Sequence, residues 1–373
     1  MQPGAGLVSQ AISSTIETDL EFQAFYINLP IAGVLSPIYL FIFPSRNPRT
    51  DISTVQKLAQ IDWVGAVLNG AIFVLFIIVI TFGGSTYAWN SGASIALWVI
   101  WGLCLIAYVL QQYFSIFTSP ERRIFPVHFL KSRSLVLLYI STAAAAAANS
   151  VTLFYVPLYF QFTRHDSALQ AGVRLLPFIC MFIFCVMIAG GLLPVVGRYS
   201  AFYTIGGAFI LAGGALMFTI DTNTSTSRIY GYEVLIATGT GLVFQNAYAV
   251  AVARVSEKDR PNAIGFINVS QIGTIAITLA IAGSLFQNLG FRSLKSALYG
   301  FGLPDNYIRF ALAGYISPIF SSADLSVVQI AVTAVAKTIQ RIFGTTIAAG
   351  TVVFVSSFLM RWESLDLKVV AGG

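Results

Sequence analysis

Charge is the scarcest property of this chain. Asp, Glu, Lys and Arg together make up 10% of its residues, against 57% that are hydrophobic. Segments 64–82, 95–117 and 135–160 contain none of the four. A soluble surface needs both signs of charge in quantity, so a purely water-exposed globule is excluded. Cysteine is scarce too: Cys104, Cys180 and Cys185 all fall inside apolar runs, where a thiol acts as a small buried hydrophobe and no disulfide framework is implied. The two histidines, His128 and His165, stand far apart in sequence and offer no metal-ligand spacing. No Gly-x-x-x-x-Gly-Lys-[Ser/Thr] loop is present, which excludes work driven by the chain's own ATP hydrolysis. Without a Gly-x-Ser-x-Gly elbow or a Ser–His–Asp grouping, nothing points to an enzyme or to a cofactor. Residues 1–21 lack the basic start and apolar core of a cleaved signal.

What remains is a repeated alternation of long apolar runs and short charged loops. A hydrocarbon core of about 30 Å takes about 20 apolar residues per helical crossing. The backbone must satisfy itself there, so each run reads as an α-helix. Nine crossings follow, at 24–43, 64–82, 95–117, 135–160, 175–196, 201–220, 232–253, 263–289 and 345–360. The fourth and eighth exceed a minimal span, and Pro157 and Pro177 are expected to bend their helices. Within 290–344, residues 325–343 read as an amphipathic helix with Lys337 and Arg341 on its polar face. The expectation is that it lies in the membrane interface, with a tenth crossing as the alternative.

The net charge of +6 does not mark a nucleic-acid surface, because it is spread over loops instead of one face. Loops 44–61, 118–133 and 254–260, Arg198 and the tail after 360 hold 13 of the 21 basic residues. Loop 83–94 has no charge, and the charged residues of the N-terminal stretch, Glu17, Asp19 and Glu21, are all acidic. The positive-inside rule then places the N-terminus outside and the C-terminus inside. Loop 118–133 reads as a cytoplasmic hinge between two groups of helices. Asn223-Thr224-Ser225, in an outside turn, fits the glycosylation pattern, whereas Asn268-Val269-Ser270 lies in a span and is a chance match.

Amides inside the spans are the candidate pathway residues: Asn149, Gln245, Asn246, Asn268 and Gln271. Hydrocarbon cannot satisfy such a group, so it faces another helix or an aqueous cavity. For a single residue the inter-helix hydrogen bond is favoured. The i, i+3 pair Asn268 and Gln271 beside Gln245 and Asn246 strengthens the substrate-contacting reading. Gln161 belongs to the same polar set. Glycine pairs 190–191, 206–207 and 213–214, and Gly239 and Gly241, read as helix-packing positions. Glu233 and Arg174 lie at span starts, where snorkelling to the interface is expected.

Several stretches carry a family resemblance. Phe25-Tyr26-Ile27-Asn28-Leu29-Pro30, Asp62-Trp63-Val64-Gly65, Tyr155-Val156-Pro157-Leu158-Tyr159-Phe160-Gln161 and residues 167–177, with Gly172, Arg174 and Pro177, occur in order. They resemble the fourteen-span drug:proton antiporters of the major facilitator superfamily, abundant in fungi. The resemblance implies an all-α membrane protein of about nine helices matching that family's sixth to fourteenth, with a complete C-terminal six-helix bundle. It divides the chain into 1–43, a remnant of the N-terminal bundle; 44–117, a loop and an extra helix pair; the 118–133 linker; 134–362, the six-helix bundle; and a tail, 363–373. The family's first five spans have no counterpart here, and Glu21-Phe22-Gln23 replaces the Trp-Arg-Trp that usually precedes Phe25-Tyr26. The implied function is proton-coupled efflux of small organic molecules across, most simply, the plasma membrane. The implied partners are the bilayer, an organic substrate, protons and, for the absent half, a partner chain. A non-transporting fragment and a half-transporter acting as a binding subunit are the rival expectations.

Overall fold

The computed structural model describes Tyr26 and residues 28–42, 53–312, 314, 317, 319–320 and 324–362. Phe25, the loop basics Arg46 and Arg49 and the tail 363–373 lie outside the described residues. Residues up to Gln60 form one compact unit and those from Ile61 a second.

In the first unit, α1 (Asn28–Pro37) carries Pro30 in its opening turn, where the missing amide has no intrahelical partner to lose. It runs into a π-helical turn, Ile38–Ile42, after Pro37. The expected first crossing, 24–43, is therefore helical over its described part. α2 (Thr54–Ala59) opens on a reciprocal capping box between Ser53 and Gln56.

The second unit is built from helices throughout; its only strand-type pairing among the described residues is an isolated bridge, Gly83 to Tyr87. The helices are α3 (Trp63–Phe82), α4 (Gly92–Phe114), α5 (Arg133–Arg164), α6 (Ala168–Val173), α7 (Leu176–Val196), α8 (Tyr199–Met217), α9 (Thr226–Phe244), α10 (Asn246–Ala253), α11 (Arg260–Asn268), α12 (Thr274–Ala297), α13 (Asp305–Ala311), α14 (Leu325–Ile342) and α15 (Gly344–Leu359). Several join end to end, so eight helical stretches among the described residues are long and apolar enough to cross a membrane. They match the second through ninth predicted spans.

Burial separates the helices. α5 is the central element, with 72% of its most apolar window buried against 11% for α3 and 6% for α4. Its packing partners are α15, α9, α12 and α14. The exposed apolar side chains of α3, α4 and α7, such as Val67, Leu103, Met187 and Val195, form surfaces suited to acyl chains. Two hydrophobic clusters fill opposite ends of the bundle. One centres on Tyr155, Phe162, Phe286 and Ile339, the other on Leu138, Tyr203, Phe266 and Val353.

Glycine sets the closest approaches. A Cβ on Gly206 would fall 2.8 Å from the Gly239 carbonyl, and one on Gly213 3.0 Å from the Tyr232 carbonyl, both on α9. On the next face of α8, a Cβ on Gly207 would lie 2.6 Å from the Phe354 nitrogen, and Gly350 of α15 meets the Leu211 nitrogen at 2.5 Å. α8 is thus clamped between α9 and α15 by two glycine stripes seven residues long, backbone against backbone. Gly241 packs in the same way on Phe182 and Cys185 of α7. The pair 190–191 is the exception, since added methyls there meet nothing within 4 Å.

Other expectations are corrected. Pro177 sits in the first turn of α7, just after the α6–α7 turn, so it opens a helix instead of bending one, while Pro157 lies within the continuous helix α5. The breaks at Gln245 and in the π turn Val269–Gly273 involve no proline. Residues 325–342 do form an amphipathic helix, but Val327, Ala331, Val335, Ile339 and Ile342 are buried on α12 and α5 and the helix runs on into α15. Its apolar side covers protein, so no lipid is needed to bury it. The 118–133 loop is pinned as well: Phe129 is buried and its ring lies 5.6 Å from Phe266.

Candidate functional site

Two of the predicted amides, Asn268 and Gln271, meet at one hydroxyl, and the residue that gathers them was not anticipated. The Tyr248 hydroxyl of α10 lies 2.6 Å from Asn268 Oδ1 and 2.8 Å from Gln271 Oε1, and its single proton serves one of the two oxygens at a time. Gln271 Nε2 in turn donates to the Phe244 carbonyl at 2.7 Å. That carbonyl ends α9, where the chain turns at Gln245 before α10 resumes. The π turn Val269–Gly273 places Gln271, and Ser270 beside it donates to the Tyr139 carbonyl of α5 at 2.7 Å. The node therefore ties the interruption of one apolar stretch to the interruption of the next. Such π segments recur at functional sites because they re-aim side chains without ending the helix.

Asn246 and Gln271 are buried, whereas Gln245 and Asn268 are exposed on the bundle surface. Asn246 turns back on its own helix, Nδ2 donating to the Leu242 carbonyl at 2.9 Å. Asn149, on α5, is buried with its Oδ1 unpartnered, and no hydrogen bond joins it to the node among the described residues. Gln161 is half-buried on the same helix. An exposed amide within an apolar span is costly against hydrocarbon, so the face bearing Gln245, Tyr248 and Asn268 suits water or further protein.

The family-motif residues do structural work. Arg174 does not snorkel: it grips Asp166 through both Nε and Nη2, the latter at 3.0 Å. The guanidinium lies 4.7 Å from the Phe160 ring centre, and Nη1 reaches the Tyr230 hydroxyl at 3.5 Å. This joins α5, the end of α6 and α9 at one end of the bundle, where α6 itself opens on a Ser167–Gln170 capping box. Gly172 is exposed with open space where a Cβ would go. Asp62 caps α3 by accepting from the Gly65 amide at 2.8 Å. Its two oxygens also accept from Gln111 at 3.0 Å and Gln112 at 2.9 Å. Gln112 Oε1 then receives the Phe125 amide, and His128 meets Asp259 at 3.4 Å. Trp63 beside it is exposed. An Asp opening an apolar run is a legible N-cap signal, but its glutamine partners 49 and 50 residues on are not.

Glu233 also departs from expectation. Its side chain is fully buried in α9, and neither carboxyl oxygen has a hydrogen-bond partner among the described residues. A lone ionised carboxylate there would forfeit hydration with no compensating charge.

At the sequon, Asn223 is exposed in a turn organised by Asp221, whose Oδ1 accepts from the Asn223 amide at 3.0 Å and the Thr224 hydroxyl at 2.8 Å. The Thr224 hydroxyl holds the Asp221 carboxyl below the usual carboxylate range. Arg164 clamps the same turn through the Thr222 and Thr224 carbonyls.

No family model matches the chain. Individual proteins do. It is 36% identical over 341 residues to the efflux pump patC of Aspergillus clavatus, covering 91% of this chain and 62% of that protein. It is 37% identical over 339 residues to the MFS-type transporter patC of Penicillium expansum, covering 90% and 62%. With the efflux pump alnA of Emericella nidulans it shares 32% identity over 99% of this chain and 67% of that protein. It thus spans about three-fifths of the length of the first two. With its apolar helices, packed glycine faces and motif residues in matching order, the chain belongs to the fungal MFS-type transporters, the major facilitator superfamily.

Proposed function

We propose that this chain forms the six-helix half and adjoining helix pair of an efflux transporter for small organic molecules, driven by proton exchange at the plasma membrane. The observation that carries the reading is the 36–37% identity, over about nine-tenths of the chain, to proteins named efflux pump and MFS-type transporter. The site supports it. Tyr248, Asn268 and Gln271 form a polar node at two helix interruptions, on a face that also leaves Gln245 exposed. In alternating access, a substrate path runs between two groups of helices and is lined by polar groups of this kind. The second group would come from a longer form of this chain or from a partner chain. On that account the chain alone binds substrate poorly and does not couple transport to protons. Loops 83–94 and 221–225 would face outside and 118–133 inside.

Glu233 is the titratable group we assign to proton exchange in this half, because its buried oxygens have no other partner. The test is dye efflux from vesicles carrying the chain with and without a full-length relative's N-terminal helices. Gradient-dependent, saturable transport by the chain alone would overturn the need for a second group. No transport in either preparation would sink the efflux reading.

A further inference from the structure

A cationic groove lies between the end of α12 and α14, away from the amide node. It is open to the outside, has a volume of about 600 Å³ and is lined by Arg292 and Ser296 from α12 and by Gln329, Thr333, Lys337 and Arg341 from α14. The last four recur every four residues, so they form one ridge that slants along α14. No Asp or Glu lines the groove. Neighbouring cations are engaged: Lys295 pairs with Asp305 at 2.7 Å, and Arg309 sits 4.2 Å from the Phe291 ring centre. Arg292, Lys337 and Arg341 make no ion pair among the described residues and are all exposed.

Three unpaired cations around one space repel one another, and an anion between them converts that repulsion into attraction. We infer that the groove binds a phosphate-type oxyanion. Phosphate carries up to two charges and at least three acceptor oxygens, enough for two guanidinium forks, an ammonium and the Ser296 and Thr333 hydroxyls. A carboxylate, with one charge and two oxygens, leaves cations uncompensated. The volume falls within the range of small-ligand sites. Arg341 precedes Gly344, the first residue of apolar α15, by three positions, about 5 Å of helix rise. That places the groove at the boundary between the apolar stretch and water, where the oxyanion can come from a phospholipid headgroup or from a soluble phosphate.

The experiment uses the full chain in two arms. In nanodiscs of phosphatidylcholine, alone or doped with phosphatidic acid, native mass spectrometry reads retained lipid. In detergent, thermal unfolding is followed with and without inorganic phosphate. Retention of phosphatidic acid over phosphatidylcholine assigns the headgroup; protection by inorganic phosphate assigns the soluble source. In either case R292Q/K337Q/R341Q lowers binding at least about tenfold, as expected from losing charge-assisted hydrogen bonds. Lys295→Gln, whose partner lies elsewhere, leaves it unchanged. The single variant Arg292→Gln serves should the triple variant fold poorly, and circular dichroism checks both. The inference is overturned if neither probe binds the parent chain or if the folded variants bind as it does. Because no transport is measured, failure here leaves the efflux reading standing, and failure of efflux leaves this one.

Discussion

Replacing Gly207 by alanine adds one methyl at the α8–α15 contact, where its carbon would lie 2.6 Å from the Phe354 nitrogen and 2.7 Å from its Cα. Ordinary carbon contacts are about 3.5–4.0 Å, so the two helices must separate by roughly 1 Å along their length. Backbone atoms cannot rotate away as a side chain could. The adjoining stripe adds to the constraint, because α8 is already held against α9 through Gly206 and Gly239. Overpacking of this kind costs about 1–3 kcal/mol, partly offset by the roughly 1 kcal/mol helix-propensity gain of alanine over glycine. The net expectation is a loss of up to about 2 kcal/mol for Gly207→Ala, and more for valine. Gly190 and Gly191 are internal controls: both are helical, and both have open space where a Cβ would go. Alanine there should be neutral or stabilising. Thermal unfolding of the purified variants in one detergent measures the difference. Equal melting of Gly207→Ala and Gly190→Ala would refute the reasoning that glycine sets helix separation here.

Tyr248→Phe removes the donor shared by Asn268 and Gln271 and should cost about 1–3 kcal/mol of stability. In a full-length relative the matching change should also lower efflux, and unchanged efflux with unchanged stability would remove the node from the site. Asp62→Ala strips the cap of α3 and the acceptor for two glutamine amides, with a loss of about 2 kcal/mol or more, read as earlier thermal unfolding; Asp62→Asn should lose less. At the 221–225 turn, the Asp221 carboxyl is depressed chiefly by the Thr224 hydroxyl. Its support for the turn is thus present above the unfolded value, near pH 4, and is lost as pH falls through the lower folded value. Protease nicking at 221–225 should rise below about pH 4, and Thr224→Val should remove that acid step. Glu233→Gln keeps the buried volume without an ionisable group and should hold or raise stability while abolishing proton-driven transport; retained coupling would clear Glu233 of that role.

Long charge-free runs made the spans legible, because nothing but a helix satisfies so many consecutive backbone groups in hydrocarbon. The Asp62 cap and the 206–207 and 213–214 glycines were readable from local pattern alone. What escaped depended on pairing across the chain. Tyr248 has no local mark to distinguish it from other tyrosines in apolar runs, and its role comes from Asn268 and Gln271, 20 and 23 residues on. Arg174 was read by position within its span, yet Asp166, eight residues earlier, decides its orientation. Gly190-Gly191 has the same local pattern as the packed pairs and differs in that, among the described residues, nothing lies within 4 Å of an added Cβ. For 325–343 the periodicity was informative about which face is apolar, but not about whether lipid or α12 and α5 would cover it.

The bend at Gln245 and the π turn at 269–273 cannot be edited separately. Phe244 ends one helix with a carbonyl that accepts the Gln271 side chain, and that side chain is aimed from the second interruption. If α9 and α10 straightened into one ideal helix, the carbonyl would return to an amide four residues on, and the Gln271 amide would face apolar surroundings without an acceptor. The two irregularities thus form a reciprocal contract between neighbouring helices. Sequence drift across 244–248 should consequently track drift across 268–273, and a graft that imports one elbow into a foreign bundle should carry the other with it.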